Sequence, residues 1–228
     1  MGSSLTFTDT NSLTVGAVDG LNGVSTTNAV TLQGTALTVN QNVVGSGTVS
    51  LTALEGMGAG NTVTVSTGAT VNSTGGNTTL SGADGVTVAG TVQASGQVTL
   101  NLGAGDTDGV SGGRVAGTIT SSNPVTFNGS ASGGTRLTIV PQSASIPLGS
   151  NFVATGSNNS VAVDGTAATT GSMITVDAQT RFVGTPNSPR VNYNANVQSV
   201  GVTSAPGFDL VTVTPGTTPV NVSNSNTL

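Results

Sequence analysis

Two aspartates in a short glycine-rich segment are the residues of this sequence that most resemble a chemical site. Asp106 and Asp108 stand in "GAGDTDG", with one residue between them. Oxygen ligands at alternate positions are typical of the opening of a Ca²⁺-binding loop. The segment has neither further carboxylates nor the bidentate Glu of such loops. The favoured interpretation is therefore a plain turn, and a Ca²⁺ site at Asp106 and Asp108 is the alternative.

The composition argues against catalysis. The 228 residues include no histidine and no cysteine, and all four positive side chains are arginines. The chain therefore lacks the usual general base near neutral pH, the imidazole and thiolate metal ligands, and the Schiff-base nucleophile. A pair of carboxylates can in principle perform glycosidic chemistry, but the only basic residue near Asp106 and Asp108 is Arg114. We predict no enzymatic activity and no cofactor, apart from the Ca²⁺ alternative.

The low content of charged residues and the negative net charge also restrict the classes of molecule that the chain can bind. Only 6% of the residues are charged, and the net charge is -5. Nucleic acids and anionic lipids are bound by clustered basic residues, whereas the four arginines are scattered. No segment approaches the eighteen or so uninterrupted apolar residues of a membrane-spanning helix. Nucleic-acid binding and membrane insertion are therefore not expected.

The start of the sequence bears on export. "MGSSLTFTD" has neither a basic region nor an apolar region of the kind found in signal peptides. "MGSS" resembles an expression leader and is left out of the interpretation of the fold. We expect the sequence to be a piece of a longer exported chain.

A short pattern of apolar, Thr or Ser, apolar recurs along the chain. Each such triplet is expected to be the centre of a short strand, with two side chains facing inward and the polar one facing outward. Glycine-rich turns such as "VGSG" and "SGADG" separate them. The triplets begin at Leu5, Leu13, Val30, Leu37, Val49, Val63, Val86, Val98, Val125, Leu137, Ile174 and Val211.

The repeat predicts an all-β fold. Equivalent features return every 20 to 30 residues or so, the period expected for stacked solenoid coils. The similarity of "TALTVNQNVVGSGTVSL" to "GVTVAGTVQASGQVTL" favours a right-handed parallel β-helix, or β-solenoid, over residues 5–140. An antiparallel sandwich is the competing architecture, because it also contains many short strands.

After residue 140 the pattern becomes less regular and most of the prolines occur. Residues 141–228 are predicted to be an irregular β-rich extension, a cap or a small β-domain, ending in a linker or an edge strand. Phe182, Tyr193 and Phe208 lie in this part. They are expected to pack a cap or a small core, and a partner contact is the alternative.

Residues 12–53 and 76–103 carry a resemblance to a known group of proteins. They are similar to the repeat region of filamentous-haemagglutinin-like large exoproteins and related bacterial β-strand-repeat adhesins. The Asn-Pro-Asn motif of that family's secretion domain is not reproduced at Asn123-Pro124, because Val125 follows. The segment is therefore more similar to a stalk than to the secretion domain.

The resemblance implies a function on the bacterial surface. The chain is expected to be a structural or adhesive segment of a large secreted protein, whose partner is a host cell, a neighbouring cell or another copy. One alternative is a subunit of an extracellular filament that is completed by β-strand exchange. Another is a carbohydrate-binding or polysaccharide-active β-helix, for which the sequence shows no row of Asp and aromatic residues.

Overall fold

The alternating apolar and polar residues form short strands that stack into a β-solenoid of about six turns. The structure is a computed structural model. It describes residues 3–58, 60–109, 111–132 and 134–139, together with seven short strands between residues 151 and 224. Successive coils are joined by parallel pairing, as in Leu5 with Val30 and Val30 with Val49. The predicted β-solenoid is confirmed, and the antiparallel sandwich is excluded for the described coils.

Three parallel sheets run along the solenoid. Sheet A contains β1 (Leu5–Thr8), β6 (Val30–Gly34), β9 (Val49–Ala53), β12 (Thr78–Gly82), β15 (Val98–Asn101), β18 (Thr126–Asn128), β20 (Asn151–Val153) and β22 (Arg181–Val183). Sheet B contains β2 (Leu13–Val15), β7 (Leu37–Val39), β10 (Thr62–Val65), β13 (Gly85–Val88), β16 (Gly112–Val115), β19 (Arg136–Ile139), β21 (Ser160–Val163), β23 (Arg190–Tyr193) and β25 (Leu210–Val213). Sheet C contains β5 (Val24–Thr26), β8 (Val43–Gly45), β11 (Thr70–Ser73), β14 (Thr91–Ala94) and β17 (Thr118–Ser121).

Two further strand pairs lie outside these sheets. The strands β3 (Ala17–Val18) and β4 (Leu21–Asn22) form an antiparallel hairpin that interrupts the first coil. The strands β24 (Ser199–Val202) and β26 (Asn221–Asn224) pair in parallel. Strands β20 to β25, except β24, extend sheets A and B past residue 140, and the predicted division at that residue stays a prediction.

The core consists of columns of apolar side chains between the three sheets. Because the coils are in register, a residue that faces inward in one coil lies beside its equivalent in the next. The leucine column of sheet A contains Leu32, Leu51, Leu80 and Leu100, each at most 3% exposed. Each column therefore buries apolar surface only when coils stack.

Polar side chains follow the same register. Thr78 faces the core between Val49 and Val98, and its Oγ1 donates to the carbonyl of Gln93 at 2.7 Å. On the other face of sheet A, Asn128 donates to Asn101 at 2.8 Å, and Asn101 donates to Ser81 at 2.7 Å. The ladder satisfies side chains that would otherwise compete with the backbone for hydrogen bonds.

One corner of the solenoid varies from coil to coil. A coil here means one passage through sheets A, B and C, so that the third begins at β9, the fourth at β12 and the fifth at β15. Between sheets A and B, the third coil has residues 54–61, the fourth only 83–84, and the fifth 102–111. Two long loops therefore flank a tight turn. Within the part of the chain that the structure describes, no helix is long and apolar enough to cross a membrane.

Candidate functional site

The tight turn of the fourth coil places a carboxylate at the variable corner. Gly82 and Gly85 close the turn, and a side chain on Gly82 would collide with the carbonyl of Gly85. Gly85 has φ +141°, which favours glycine, and a Cβ there would lie 2.0 Å from the carbonyl oxygen of Gly112. Asp84, held between these glycines, is only 7% exposed.

Backbone hydrogen bonds fix Asp84 to both neighbouring coils. Its N–H donates to the carbonyl of Asn61 at 3.0 Å, and its carbonyl accepts from the N–H of Gly112, also at 3.0 Å. Its side-chain Oδ2 accepts from the N–H groups of Gly60 and of Asn61, the latter at 2.7 Å. The position of this carboxylate is therefore set by the third and fifth coils as well as by its own.

The loop of residues 54–61 in the third coil contributes Glu55. Asn61, itself 7% exposed, organises this loop. Its Oδ1 accepts from the N–H of Gly56 at 3.1 Å, and its Nδ2 donates to the carbonyl of Thr35 in the second coil at 2.9 Å. These bonds close the loop, so that the half-buried Glu55 lies beside the tight turn.

The loop of residues 102–111 in the fifth coil contributes Asp108. Leu102 is fully buried and anchors the start of the loop; its methyl groups occupy the space that a Cβ on Gly113 would need. Thr107 Oγ1 donates to Glu55 Oε1 at 3.0 Å. This bond joins the two loops across the fourth coil.

Three acidic side chains converge where the loops meet. Glu55, Asp84 and Asp108 each place one carboxylate oxygen within 4.8 Å of the others; we call this group the acidic corner. Glu55 is the only glutamate in the chain, and the chain has just nine acidic residues. Carboxylate oxygens are ligands for hard cations. The acidic corner is therefore the candidate metal site among the described residues.

The two aspartates predicted from the sequence have different surroundings. Asp108 belongs to the acidic corner, whereas Asp106 does not. Asp106 is buried, and its Oδ1 accepts from the N–H of Gly109 at 2.8 Å, which is the local hydrogen bond of a turn. Whether the two aspartates act as a pair of Ca²⁺ ligands is not tested by these contacts, and that pairing stays the alternative to a plain turn.

The sequence patterns predict no site at Glu55, Asp84 or Asn61. The sequence does contain a signal for Glu55 and Asp84. Each closely follows a strand of sheet A, in "VSLTALE" and "TTLSGAD". Aligning the coils on these strands would have brought both acids to one corner. The role of Asn61 has no such signal, because its partners Thr35 and Asp84 are 26 and 23 residues away.

The three aromatic residues that were expected to pack a cap or a small core lie in the C-terminal strands or beyond them. Phe182 is in β22, in register with Phe152, and Tyr193 is in β23, in register with Val163 and Val213. Phe208 lies outside the described residues. Their packing in a cap or small core stays a prediction, and a partner contact stays the alternative.

No protein-family model, curated protein or solved structure matches this chain.

Proposed function

We propose that the chain is a non-catalytic rod segment of a large secreted bacterial surface protein, with a structural or adhesive role. The supporting observation is the in-register stacking of parallel strands into a solenoid of about six turns. With coils roughly 4.8 Å apart, six of them form a rod on the order of 30 Å long. Such a fold extends simply by adding coils, as a stalk requires.

The outward surface fits this role. Thr and Ser alternate with the buried residues, as in β7, where Thr38 faces outward between Leu37 and Val39. Backbone ladders and apolar columns join neighbouring coils, so that stability grows with coil number and needs no cross-links. A rod of this kind can hold an adhesive surface away from a cell. The similarity of the sequence to filamentous-haemagglutinin-like exoproteins supports the same role.

Electron microscopy of the purified chain over a range of concentrations tests the rod. We expect discrete rods a few nanometres long at every concentration. Fibres with an axial repeat near one rod length would overturn this and favour the alternative of a filament subunit completed by β-strand exchange.

Adhesion is tested separately with beads coated with the chain and with albumin-coated beads as the control. We expect the chain to increase bead attachment to cultured epithelial cells, or bead-to-bead clustering if the partner is another copy. Equal behaviour of the two kinds of bead would remove the adhesive role and leave the structural one.

A further inference from the structure

We propose that the acidic corner binds one Ca²⁺ ion, and that this ion joins the third, fourth and fifth coils. Its protein ligands are the carboxylates of Glu55, Asp84 and Asp108, which lie within 4.8 Å of one another. Asp106, the other aspartate of "GAGDTDG", is not a ligand in this proposal. The inference does not depend on the adhesive role.

Unpartnered oxygen atoms are the observation that points to a ligand. Asp84 is 7% exposed, and its Oδ1 is buried without a hydrogen-bond partner. Glu55 Oε2 is likewise buried without a partner. Asp106 Oδ2 is a third such atom, but Asp106 lies outside the acidic corner. A buried acceptor that receives no donor loses its hydration without replacement, so such atoms are rare in native proteins. A cation bound at the acidic corner would supply the missing interaction.

The charge of the group leads to the same conclusion. Three carboxylates at this spacing repel one another, and the repulsion is stronger where water is partly excluded. Hydrogen-bond donors reach one oxygen of Glu55 and one of Asp84: Thr107 donates to Glu55 Oε1, and the N–H of Asn61 donates to Asp84 Oδ2. These donors are neutral and leave the summed negative charge in place. A divalent cation neutralises most of it.

The chemistry of the donor set selects the ion. All three ligands are hard oxygens, and the chain has no histidine or cysteine that would favour zinc or copper. Ca²⁺ takes six to eight oxygens at about 2.3–2.6 Å in a flexible shell. Mg²⁺ requires a smaller and nearly octahedral shell at about 2.0–2.1 Å. The acidic corner draws its ligands from two long loops and a tight turn, which fits the more flexible shell of Ca²⁺ better.

The three ligands come from three successive coils at one corner. Glu55 lies in the loop of residues 54–61, Asp84 in the tight turn, and Asp108 in the loop of residues 102–111. A bound ion would therefore hold the two long loops together across the fourth coil. Three carboxylates fill only part of a shell of six to eight oxygens. We expect a Kd on the order of 10⁻⁴ to 10⁻³ M, the range of extracellular calcium modules.

Isothermal titration of the EDTA-treated and dialysed full chain with CaCl₂ tests the proposal. We expect one Ca²⁺ per chain, and binding of MgCl₂ at least about tenfold weaker. The variants Glu55→Gln, Asp84→Asn and Asp108→Asn each remove a charge with little change in shape. Each should weaken Ca²⁺ binding by about tenfold or more, since each removes one of the three negative charges that attract the ion.

Two further aspartate variants serve as controls. Asp19→Asn changes an exposed aspartate at φ 49°, a conformation that asparagine tolerates, and it should bind Ca²⁺ like the parent. Asp106→Asn distinguishes the acidic corner from the pair Asp106 and Asp108. If Asp106→Asn abolishes binding while Glu55→Gln and Asp84→Asn retain it, the proposed ligand set is wrong.

Hydrogen exchange of the unmodified chain gives a readout that does not depend on the folding of any variant. In CaCl₂, compared with EGTA, we expect slower exchange in residues 54–61 and 102–111 and no change in the hairpin of β3 and β4. The proposal is overturned if the parent chain binds no Ca²⁺ up to about 10 mM, well above the expected Kd. Slower exchange spread evenly over all coils would equally contradict it.

Discussion

At the scale of single residues, Asn61 holds the variable corner together. Its two side-chain bonds reach Gly56 in its own loop and Thr35 in the coil before, and its backbone bonds reach Asp84 in the coil after. An amide is suited to this position because it offers an acceptor and two donors at once. The loop that carries Glu55 therefore depends on one side chain for its path.

We predict that Asn61→Ala destabilises the protein by about 1 to 3 kcal/mol, because both partner groups lose their hydrogen bond in a partly buried place. The midpoint of urea unfolding measures this. Asn40→Ala is the matched control: Asn40 is exposed, and its Oδ1 accepts a hydrogen bond from Ser66 at 2.7 Å. That variant should stay within about 0.5 kcal/mol of the parent. Equal midpoints for the two variants would contradict the role assigned to Asn61.

The residues of the corner also show where prediction from the sequence ends. The close spacing of Asp106 and Asp108 suggests a pair of Ca²⁺ ligands, yet only Asp108 belongs to the acidic corner. Its partners there, Glu55 and Asp84, are 53 and 24 positions earlier. Such convergence depends on coil register and loop length, neither of which a local pattern contains. The aspartate pair was therefore visible in the sequence, and the group of three was not.

At the scale of elements, the inward columns determine which strands stack. Leu80 lies between Leu51 and Leu100 and is completely buried. Its neighbour Thr79 faces outward between Ser50 and Thr99. The two residues share a strand and a register, and they differ in the face that they occupy. They therefore provide a direct test of the column.

We predict that Leu80→Ala lowers stability by about 2 to 5 kcal/mol, since it removes a core side chain and leaves a cavity between two fixed neighbours. Thr79→Ala should change stability by no more than about 0.5 kcal/mol, because it faces outward. Thermal unfolding followed by circular dichroism measures both. A loss for Thr79→Ala as large as that for Leu80→Ala would show that the outer face, and not the column, carries the stacking.

The triplet pattern predicted two of the three sheets well. The triplets at Leu37 and Val63 coincide with strands of sheet B, and those at Val49 and Val98 with strands of sheet A. Sheet C has no such triplet, since its strands read "VST", "VVG", "TVNS", "TVQA" and "TITS". Each of these has fewer inward apolar positions, so the period-2 signal is too short to stand out.

At the scale of the whole molecule, coil length varies while strand register is conserved. Val30 pairs with Val49, 19 residues later, whereas Val49 pairs with Thr78, 29 residues later. Most of the difference lies in residues 54–61 at the variable corner. Because each coil contacts only its neighbours, an insertion there leaves the sheets intact. The solenoid can therefore carry a site at its corner without a change in the core.

This independence predicts that one complete coil can be removed. Deleting residues 30–48 takes out β6, β7 and β8 and places Val49 where Val30 was, beside Leu5. The new neighbours remain apolar in all three sheets: Phe7 with Leu51 in sheet A, Leu13 with Val63 in sheet B, and Val24 with Val71 in sheet C. We expect a β-rich circular dichroism spectrum and cooperative thermal unfolding, at a lower midpoint because one coil interface is lost.

A deletion that ignores the coil is the control. Removing residues 30–39 takes out β6 and β7 but leaves β8, so that two strands of sheet C follow one another in the chain. Sheet C then has one strand more than sheets A and B, and the first coil can no longer pair in register with the next coil in all three sheets. This shorter deletion should lose cooperative unfolding although it removes fewer residues. If deletion of residues 30–39 were tolerated as well as deletion of residues 30–48, the unit of stacking would be smaller than one coil. The apolar columns would then not determine the register of the strands.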